Sequence, residues 1–352
     1  MERTFKIIYT SDTHGHIFPV NYAAGCGESS GLLNLAAQID KNGNTLVLDG
    51  GDSLQGTPLV QYYLAHADEF PHHPLAEAFN AMGCDYFTLG NHDFNFGYDA
   101  LRAYLCAMDG VCLCANVQDL GGALPLLPET VHTLKNGLRI GITGIVTDYV
   151  NVWEQPQNLK KLRITEAFDA ARAACARLRP ICDICVCIYH GGFEEDLHTG
   201  AVLSGSGENL ACRIARELDF DLLLTGHQHM PVESASAEPS PCSPPPMPGA
   251  ICRWKPRYGT AVQNFPHACC LWAAYTGNSL IAASCLWSRP YSAGWTNLWD
   301  IWSRPSPLRK SCAQRCTAAL WRHCSTKSSF HTPVPTSPAP ASAMNPQALP
   351  RP

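Results

Sequence analysis

The chain has 352 residues, an apolar content of 46% and a formal net charge of −5. This length can hold two domains, and the apolar content is sufficient for a buried core. Residues 1–232 hold 14 Lys and Arg against 27 Asp and Glu, whereas the remainder holds 11 against 3. An acidic front part argues against binding of a nucleic-acid polymer, but a small phosphorylated substrate held by metal ions remains compatible with it.

The N-terminus shows neither a long apolar stretch nor a small-residue cleavage site. We therefore expect no secretory signal and a cytoplasmic location. No apolar run reaches the length of a membrane-spanning helix, so no membrane association is expected. The 18 cysteines are scattered along a long chain, which favours reduced thiols over a disulfide framework.

The front part of the chain alternates between predicted strands and predicted helices. The predicted strands cover residues 5–10, 45–48, 86–89, 111–115, 138–145, 184–189 and 221–225. The predicted helices cover residues 32–39, 75–82, 98–108, 165–178 and 209–217, with Thr165 as an N-cap. This alternation is typical of an α/β fold.

Five of the predicted strands end in residues that commonly bind metals. These residues are Asp12 with His14, Asp52, Asn91 followed by His92, His190, and His227 with His229. An isolated Asp-x-His or His-x-His pair is a weak signal, and an isolated Asn beside Gly more often caps a turn. Functional groups gather where the strands of α/β sheets end, so the five loops together predict one binuclear metal site.

Nitrogen and oxygen ligands without cysteine suit Mn, Fe, Co or Zn rather than Ca or Mg. We assign Asp12, His14 and His229 to one ion. We assign Asn91, His190 and His227 to a second ion, with Asp52 bridging the two. Two ions roughly 3.5 to 4 Å apart can hold a hydroxide that attacks a phosphoryl group. His92 stays unbound and either protonates the leaving oxygen or stabilises its charge.

Other histidines and glycines lack this strand-then-loop context. The histidines expected on the surface are His16, His66, His72, His73, His132 and His198. The Gly205-Ser206-Gly207 segment has neither a dinucleotide-binding pattern nor a P-loop lysine, and we interpret it as a turn.

Cys182-x-x-Cys185-x-Cys187 suggests a redox or zinc motif, but it lies in an apolar strand without a second cysteine pair. We therefore favour buried packing for these thiols. The same interpretation holds for Cys112 and Cys114.

The periodic pattern stops near Glu233. Prolines crowd together there, and seven of the eight tryptophans follow, although disordered linkers are poor in Trp and Cys. We predict a catalytic domain over residues 1–232 and an irregular, disordered tail over 233–352 that is not a native domain. We hypothesise that a frameshift near residue 233 produced this tail, and reading the other two frames of the encoding DNA tests that hypothesis.

The ligand loops resemble those of the calcineurin-like metallophosphoesterases. The matching segments are Ser11-Asp12-Thr13-His14-Gly15-His16, Gly51-Asp52-Ser53, Gly90-Asn91-His92-Asp93, His190-Gly191-Gly192 and Gly226-His227-Gln228-His229. Within that superfamily, the 5'-nucleotidase family is the most similar, through residues 52–58, 90–97 and 115–117. The nearest branch resembles the 2',3'-cyclic-nucleotide 2'-phosphodiesterase/3'-nucleotidases.

The resemblance implies a four-layer α/β sandwich, in which helices flank two packed β-sheets. It also implies two metal ions, hydrolysis of nucleotides or related phosphate esters, and a catalytic role for His92. In the 5'-nucleotidase branch an Asp three residues later orients that histidine, whereas this chain has Asn95, as in the cyclic phosphodiesterase branch. This difference favours cyclic or 3'-nucleotides as substrates.

Two features depart from the family pattern. Family members continue into a C-terminal domain whose aromatic residues stack on the nucleobase, and residues 233–352 show none of its motifs. Family members are also usually exported. The alternative function is therefore an inactive metal-binding remnant or interaction scaffold of the same fold.

Overall fold

The computed structural model describes residues 3–22, 24–27, 30–197 and 199–229, and the backbone of four further strands between residues 232 and 287. The first strands are β1 (Arg3–Thr10), β2 (Val20–Asn21), β3 (Cys26–Gly27), β4 (Thr45–Asp49), β5 (Tyr86–Phe87), β6 (Val111–Leu113), β7 (Val117–Asp119), β8 (Leu126–Leu127) and β9 (Glu129–Thr133). They continue with β10 (Arg139–Val146), β11 (Leu162–Ile164), β12 (Ile184–His190), β13 (Leu222–Thr225), β14 (Val232–Ser234), β15 (Thr260–Val262), β16 (Cys269–Thr276) and β17 (Ser279–Trp287).

Helices connect these strands. The α-helices are α1 (Leu32–Ala36), α2 (Pro58–Ala65), α3 (Pro74–Met82), α4 (Gly97–Ala107), α5 (Val150–Trp153), α6 (Ala167–Leu178) and α7 (Ala211–Glu217). Two short 3₁₀ helices cover Ala67–Glu69 and Asn91–Phe94.

Two mixed sheets hold most of the strands. The first has the order β17-β16-β1-β4-β5-β6-β8, and its strands from β1 to β8 run parallel to their neighbours. The second has the order β14-β15-β13-β12-β10-β9, with β10, β12 and β13 parallel. The predicted ligand loops therefore follow parallel strands in both sheets.

Alternating apolar residues explain how the sheets pack. Ile7 and Tyr9 of β1 face the same core as Ile142 of β10 and Val186 of β12, and all four are buried. The opposite face of the first sheet packs on helices α1, α3 and α4, while that of the second packs on α6 and α7. Because side chains alternate across a strand, each sheet buries both faces. The predicted four-layer sandwich is confirmed.

Four strands lie beyond residue 231, where no strand pattern was predicted. β16 pairs antiparallel with β1, and β15 pairs parallel with β13. β16 and β17 are nearly continuous apolar runs, as other buried strands are, but the proline-rich and tryptophan-rich composition around them predicted an irregular tail instead. They cover sheet edges that would otherwise expose unpaired backbone groups. The rest of the predicted tail lies outside the described residues, and the frameshift stays a prediction.

Two local predictions were wrong. Helix α6 is capped by Glu166, whose side chain accepts the backbone N–H of Asp169, whereas the Thr165 hydroxyl donates to the carbonyl oxygen of Asn116. His73 is only 5% exposed and caps α3, because its Nδ1 accepts the N–H of Ala76.

The other histidines expected on the surface vary in exposure. His72 is exposed, His16, His66 and His132 are partly buried, and His198 lies outside the described residues.

Burial lowers the pKa of His73 from 6.5 to about 4. Between pH 6.5 and 4 the unfolded chain therefore binds a proton at this histidine, whereas the folded chain does not. The contribution of this histidine to the free energy of unfolding is fully present above pH 6.5 and falls as the pH drops towards 4. We expect this histidine to account for about 3 kcal/mol of that loss. Urea unfolding at several pH values should show a smaller pH dependence for His73→Asn, which keeps an N-cap acceptor. An unchanged slope for His73→Asn would contradict the prediction.

Candidate metal centre

The predicted ligand loops of both sheets meet where the parallel strands end. Asp12 follows β1, and its Oδ1 accepts the backbone N–H of His227, which follows β13, at 3.0 Å. His190 is the last residue of β12, and its Nδ1 donates to the carbonyl oxygen of Gly50, which follows β4, at 2.6 Å. Each contact joins one sheet to the other, so residues far apart in sequence form a single site.

Five of the predicted ligands adopt a left-handed backbone conformation. They are Asp12 (φ 53°), His14 (φ 45°), Asp52 (φ 58°), His227 (φ 74°) and His229 (φ 52°). Among the described residues, no other non-glycine residue has a positive φ. Each such conformation costs roughly 1 kcal/mol or more and persists only where surrounding contacts fix it. Strain of this kind concentrates at functional sites.

Asp12, His14 and His229 form the first ligand group, with ligand atoms within 4.8 Å of one another. His14 Nε2 lies 3.0 Å from His229 Nε2, which lies 3.3 Å from Asp12 Oδ1. His14 Nδ1 donates to the carbonyl oxygen of Gln55 at 2.8 Å, so the neutral ring carries its lone pair on Nε2. The group therefore directs lone pairs at one small volume.

Asp52, His190 and His227 form the second ligand group, also within 4.8 Å. His190 Nε2 lies 3.3 Å from Asp52 Oδ2 and 3.2 Å from Asn91 Oδ1. His227 Nε2 is 2.8 Å from the Glu208 carboxylate, which leaves Nδ1 as its ligand atom. Six of the seven predicted ligands thus belong to the two groups, and the seventh, Asn91, contacts His190 of the second group.

Asp52 belongs to the second group and also interacts electrostatically with His14 of the first. Burial alone would raise the pKa of Asp52, but the charge and hydrogen bond of His190, together with the charges of His92 and His14, outweigh burial and lower that pKa. In turn, burial would lower the pKa of His190, but Asp52 raises it to about 10. A proton on His190 balances the buried carboxylates in the metal-free chain, and a divalent cation would replace that proton.

The donor set fits two divalent cations. It combines imidazole nitrogens with carboxylate and amide oxygens, and Asp12, Asp52 and His190 are almost fully buried. Buried carboxylates this close to one another need a positive counter-charge, and borderline ions such as Mn²⁺ or Zn²⁺ accept these ligand types.

Asp93 ties the loops of Asp52 and Asn91 together. Its Oδ2 accepts the backbone N–H of Asp52 and Gly90 at 2.9 and 2.8 Å, and its Oδ1 accepts those of Ser53 and Leu54 at 2.8 and 2.9 Å. Gly90 has to be glycine, because an added Cβ would lie 2.1 Å from Asp52 Oδ1. Asp93 thereby satisfies four backbone amides that would otherwise lack a partner, and it holds the Asp52 and Asn91 loops together.

His92 lies beside the first ligand group, and a hydrogen bond from its Nδ1 fixes the orientation of its ring. Its Nδ1 donates to Asn95 Oδ1 at 2.8 Å, and Asn95 Nδ2 donates to Glu154 Oε2 at 2.6 Å. The His92 ring lies edge-on to that of His14, with 5.6 Å between centroids. Because Nδ1 is engaged, Nε2 is the atom that can exchange a proton with a substrate.

Sequence reasoning did not identify four residues that support the site. They are Asp93, Glu154, Glu208 and Trp153, whose ring stacks on that of His227 at 5.4 Å and remains 45% exposed. Glu208 directly follows the Gly205-Ser206-Gly207 turn. Trp153 and Glu154 lie several residues after the predicted strand 138–145. Their roles depend on contacts between separate loops, so only a motif-level comparison could have found them.

Comparison with known proteins identifies the family. Residues 5–231 match the calcineurin-like phosphoesterase family, and the chain belongs to it. Over 244 residues the chain is 27% identical to a trifunctional nucleotide phosphoesterase protein of Bacillus subtilis, covering 64% of this chain and 16% of that one. Over 240 residues it is 28% identical to a 2',3'-cyclic-nucleotide 2'-phosphodiesterase/3'-nucleotidase of Salmonella typhimurium, covering 64% and 36%.

A solved structure shows the same fold. A candidate 5'-nucleotidase of Staphylococcus aureus superposes with a TM-score of 0.68 at 26% identity, over 89% of this chain and 58% of that one. The chain therefore spans only part of the length of its relatives. Within the described ranges, each helix is too short or too polar to cross a bilayer.

Asp93→Asn should loosen both loops, because its amide NH₂ would face two backbone N–H donors instead of accepting them. We expect a loss of about 2 kcal/mol or more in the free energy of unfolding and weaker metal binding, measured by urea titration of the metal-free chain and by metal titration. Asp119→Asn is the matched control, because Asp119 also accepts the backbone N–H of Gly121 and Leu124 but lies away from the site. Wild-type metal affinity in Asp93→Asn would contradict the prediction.

Proposed function

We propose that this chain hydrolyses phosphate esters of nucleotides with the help of two divalent metal ions and His92. One observation carries the proposal: two groups of metal-ligating side chains, each within 4.8 Å, lie at the ends of parallel strands, and Asp52 of the second group is close enough to His14 of the first for its charge to act on Asp52. A site of this kind suits in-line displacement at phosphorus, because positive charge is available on both sides of the reacting group.

The chain's own residues divide the work. Asp12, His14 and His229 would hold one ion, while Asn91, His190 and His227 would hold the other and Asp52 would bridge them. Bound ions supply Lewis acidity towards the phosphoryl oxygens and lower the pKa of a nucleophilic water. The hydrogen bonds of His14 to Gln55 and of His190 to Gly50 fix which ring nitrogen each imidazole presents.

His92 would act on the leaving oxygen. Its Nδ1–H is committed to Asn95, so its Nε2, when protonated, donates a proton as the ester bond breaks. The His92 backbone N–H also donates to Asp52 Oδ1 at 2.7 Å, which ties the position of the acid to the bridging ligand. Leaving-group protonation and metal ligation are therefore aligned by the same loop.

We place 2',3'-cyclic and 3'-nucleotides first among the substrates. The Salmonella typhimurium relative bears that activity in its name. Asn95 is the residue through which the chain resembles the cyclic phosphodiesterase branch, and its contact with Glu154 accounts for an amide there, because an Asp at position 95 would put two carboxylates 2.6 Å apart. Asn95 is therefore the residue that fits beside Glu154. The group that orients His92 is a neutral amide, which itself donates a hydrogen bond to a carboxylate.

We also propose that residues 1–232 form the catalytic unit and that the four later strands complete its two sheets. The pairing of β16 with β1 and of β15 with β13 supports this arrangement. The small phosphorylated substrate would enter at the strand ends, beside the half-exposed Trp153.

His92→Ala should lower kcat on ribose phosphate esters by about 10²- to 10⁴-fold, because the alkoxide leaving group needs a proton. The loss should be much smaller on 4-nitrophenyl phosphate, whose phenolate leaves unaided. Metal content, measured by elemental analysis, should stay at the wild-type level. His132→Ala, a remote histidine variant, should change neither rate, and equal losses on both substrates in His92→Ala would contradict a role as acid.

The full chain loaded with Mn²⁺ should release phosphate from 3'-nucleotides and open 2',3'-cyclic nucleotides faster than it hydrolyses 5'-nucleotides. Asn95→Asp should slow all three through repulsion from Glu154, and the double variant Asn95→Asp/Glu154→Gln should recover activity because one hydrogen-bond donor is restored. Phosphate release and product chromatography report the rates. Turnover of none of these substrates, with both metals bound, would identify an inactive remnant.

A further inference from the structure

A cluster of three thiols lies outside the metal centre, on the outer face of the second sheet. Cys175 is on α6, Cys182 is in the turn that follows this helix, and Cys185 is in β12. The thiols of Cys175 and Cys182 both lie close enough to that of Cys185 to affect its protonation. The sequence predicted buried packing for Cys182, Cys185 and Cys187; Cys185 and Cys187 are buried, whereas Cys182 is partly exposed.

Gly141 creates the space in which Cys182 meets Cys185. Gly141 of β10 is the partner of Cys185 in the parallel pairing of β10 with β12. A Cβ on Gly141 would lie 2.8 Å from Cys182 Sγ and 3.0 Å from Cys182 Cβ. Cys182 therefore occupies the place of the missing side chain, beside its neighbour Cys185 on the same sheet face.

The surroundings separate the two thiols chemically. The hydrogen bond with Cys185 and the charge of Arg179 outweigh burial and lower the pKa of Cys182 to about 7. Contacts with the other two thiols and burial raise the pKa of Cys185. Cys182 is partly exposed, whereas Cys185 is fully buried.

Arg179 is fixed in place beside the cluster. Its guanidinium donates to Asp221, which also accepts the backbone N–H of Cys185 at 2.8 Å. A positioned cation next to a solvent-accessible thiol is the usual environment of a reactive cysteine.

We propose that Cys182 and Cys185 form a reversible thiol–disulfide site, with Cys182 as the attacking sulfur and a low-molecular-weight disulfide as the oxidant. The Cys182 thiolate attacks one sulfur of the small disulfide, the S–S bond breaks, and one small thiolate leaves. The sulfur of Cys185 then attacks Cys182 Sγ, the mixed disulfide bond breaks, and the second small thiolate leaves and takes up the proton of Cys185. Two protein thiols are oxidised and one small disulfide is reduced to two thiols.

Cys175 is the competing partner for Cys185. It is on the buried face of α6, in the core shared with Phe168 and Ile214. We expect a small disulfide to react first with Cys182, because Cys182 is partly exposed. The neighbouring Cys185, rather than Cys175, then reacts with Cys182. The assignment to Cys182 rests on this difference in access.

Trypsin distinguishes the two pairings. The full chain is treated with glutathione disulfide, blocked with an alkylating agent, digested and analysed by mass spectrometry. Cleavage after Arg177 separates Cys175 from the peptide 178–213, because Arg179 precedes Pro180. We expect a disulfide within peptide 178–213, located by fragmentation between Cys182 and Cys185 and reversed by dithiothreitol. A link between peptide 173–177 and peptide 178–213, or no disulfide in either peptide, would overturn the proposal.

Variants test the order of attack. Cys182→Ser should abolish the disulfide, and Cys185→Ser should retain one glutathione on Cys182. Gly141→Ala should slow disulfide formation, because the added methyl group displaces Cys182. Cys106→Ser, at an exposed cysteine elsewhere, should change nothing. Circular dichroism checks that each variant folds. If Cys185→Ser, at a buried position, is unfolded, the partly exposed Cys182→Ser decides the test. A disulfide between Cys182 and Cys185 that forms at the wild-type rate in Gly141→Ala would also overturn the proposal.

Discussion

The metal centre depends on the enforced proximity of buried carboxylates and imidazoles at the ends of two sheets. Asp12 and Asp52 are each at most 2% exposed, and they are balanced by the imidazoles of His229 and His190. Charges this deeply buried are unfavourable without counter-charges, so the loops that carry them are stable only in one arrangement. Five left-handed ligand residues mark the backbone cost of that arrangement, and a divalent cation at each group would offset it.

Hydrogen bonds around the ligands convert this proximity into defined chemistry. Asp93 accepts three backbone amides of the Asp52 loop and that of Gly90 in the Asn91 loop, and Gly50 fixes the ring nitrogen that His190 presents. His92 is connected to Asp52 through its backbone and to Glu154 through Asn95. The proposed metal ligands and the proposed acid therefore share one support, and a support of this kind lets a site keep a productive geometry without rearranging during the reaction.

The sequence predicted the layers of the fold and the convergence of the ligands, because buried parallel strands are continuous apolar runs that end in polar loops. The same reasoning could not find Asp93 or Glu208, since an acidic residue that binds distant loops has no periodic signature. His73 was misplaced on the surface because nothing local shows that aromatic rings of other helices cover it. The later strands were missed because the composition around them predicted an irregular tail, and only their pairing with β1 and β13 shows that they belong to the two sheets.

The central claim is that one site holds two ions bridged by Asp52. Electron paramagnetic resonance of the full chain titrated with Mn²⁺ tests this most directly. The account predicts two Mn²⁺ per chain with the spectrum of a spin-coupled pair, and loss of that coupling in Asp52→Asn while at least one ion stays bound. A single ion at saturation, or two ions whose spectrum is that of isolated Mn²⁺, would contradict it.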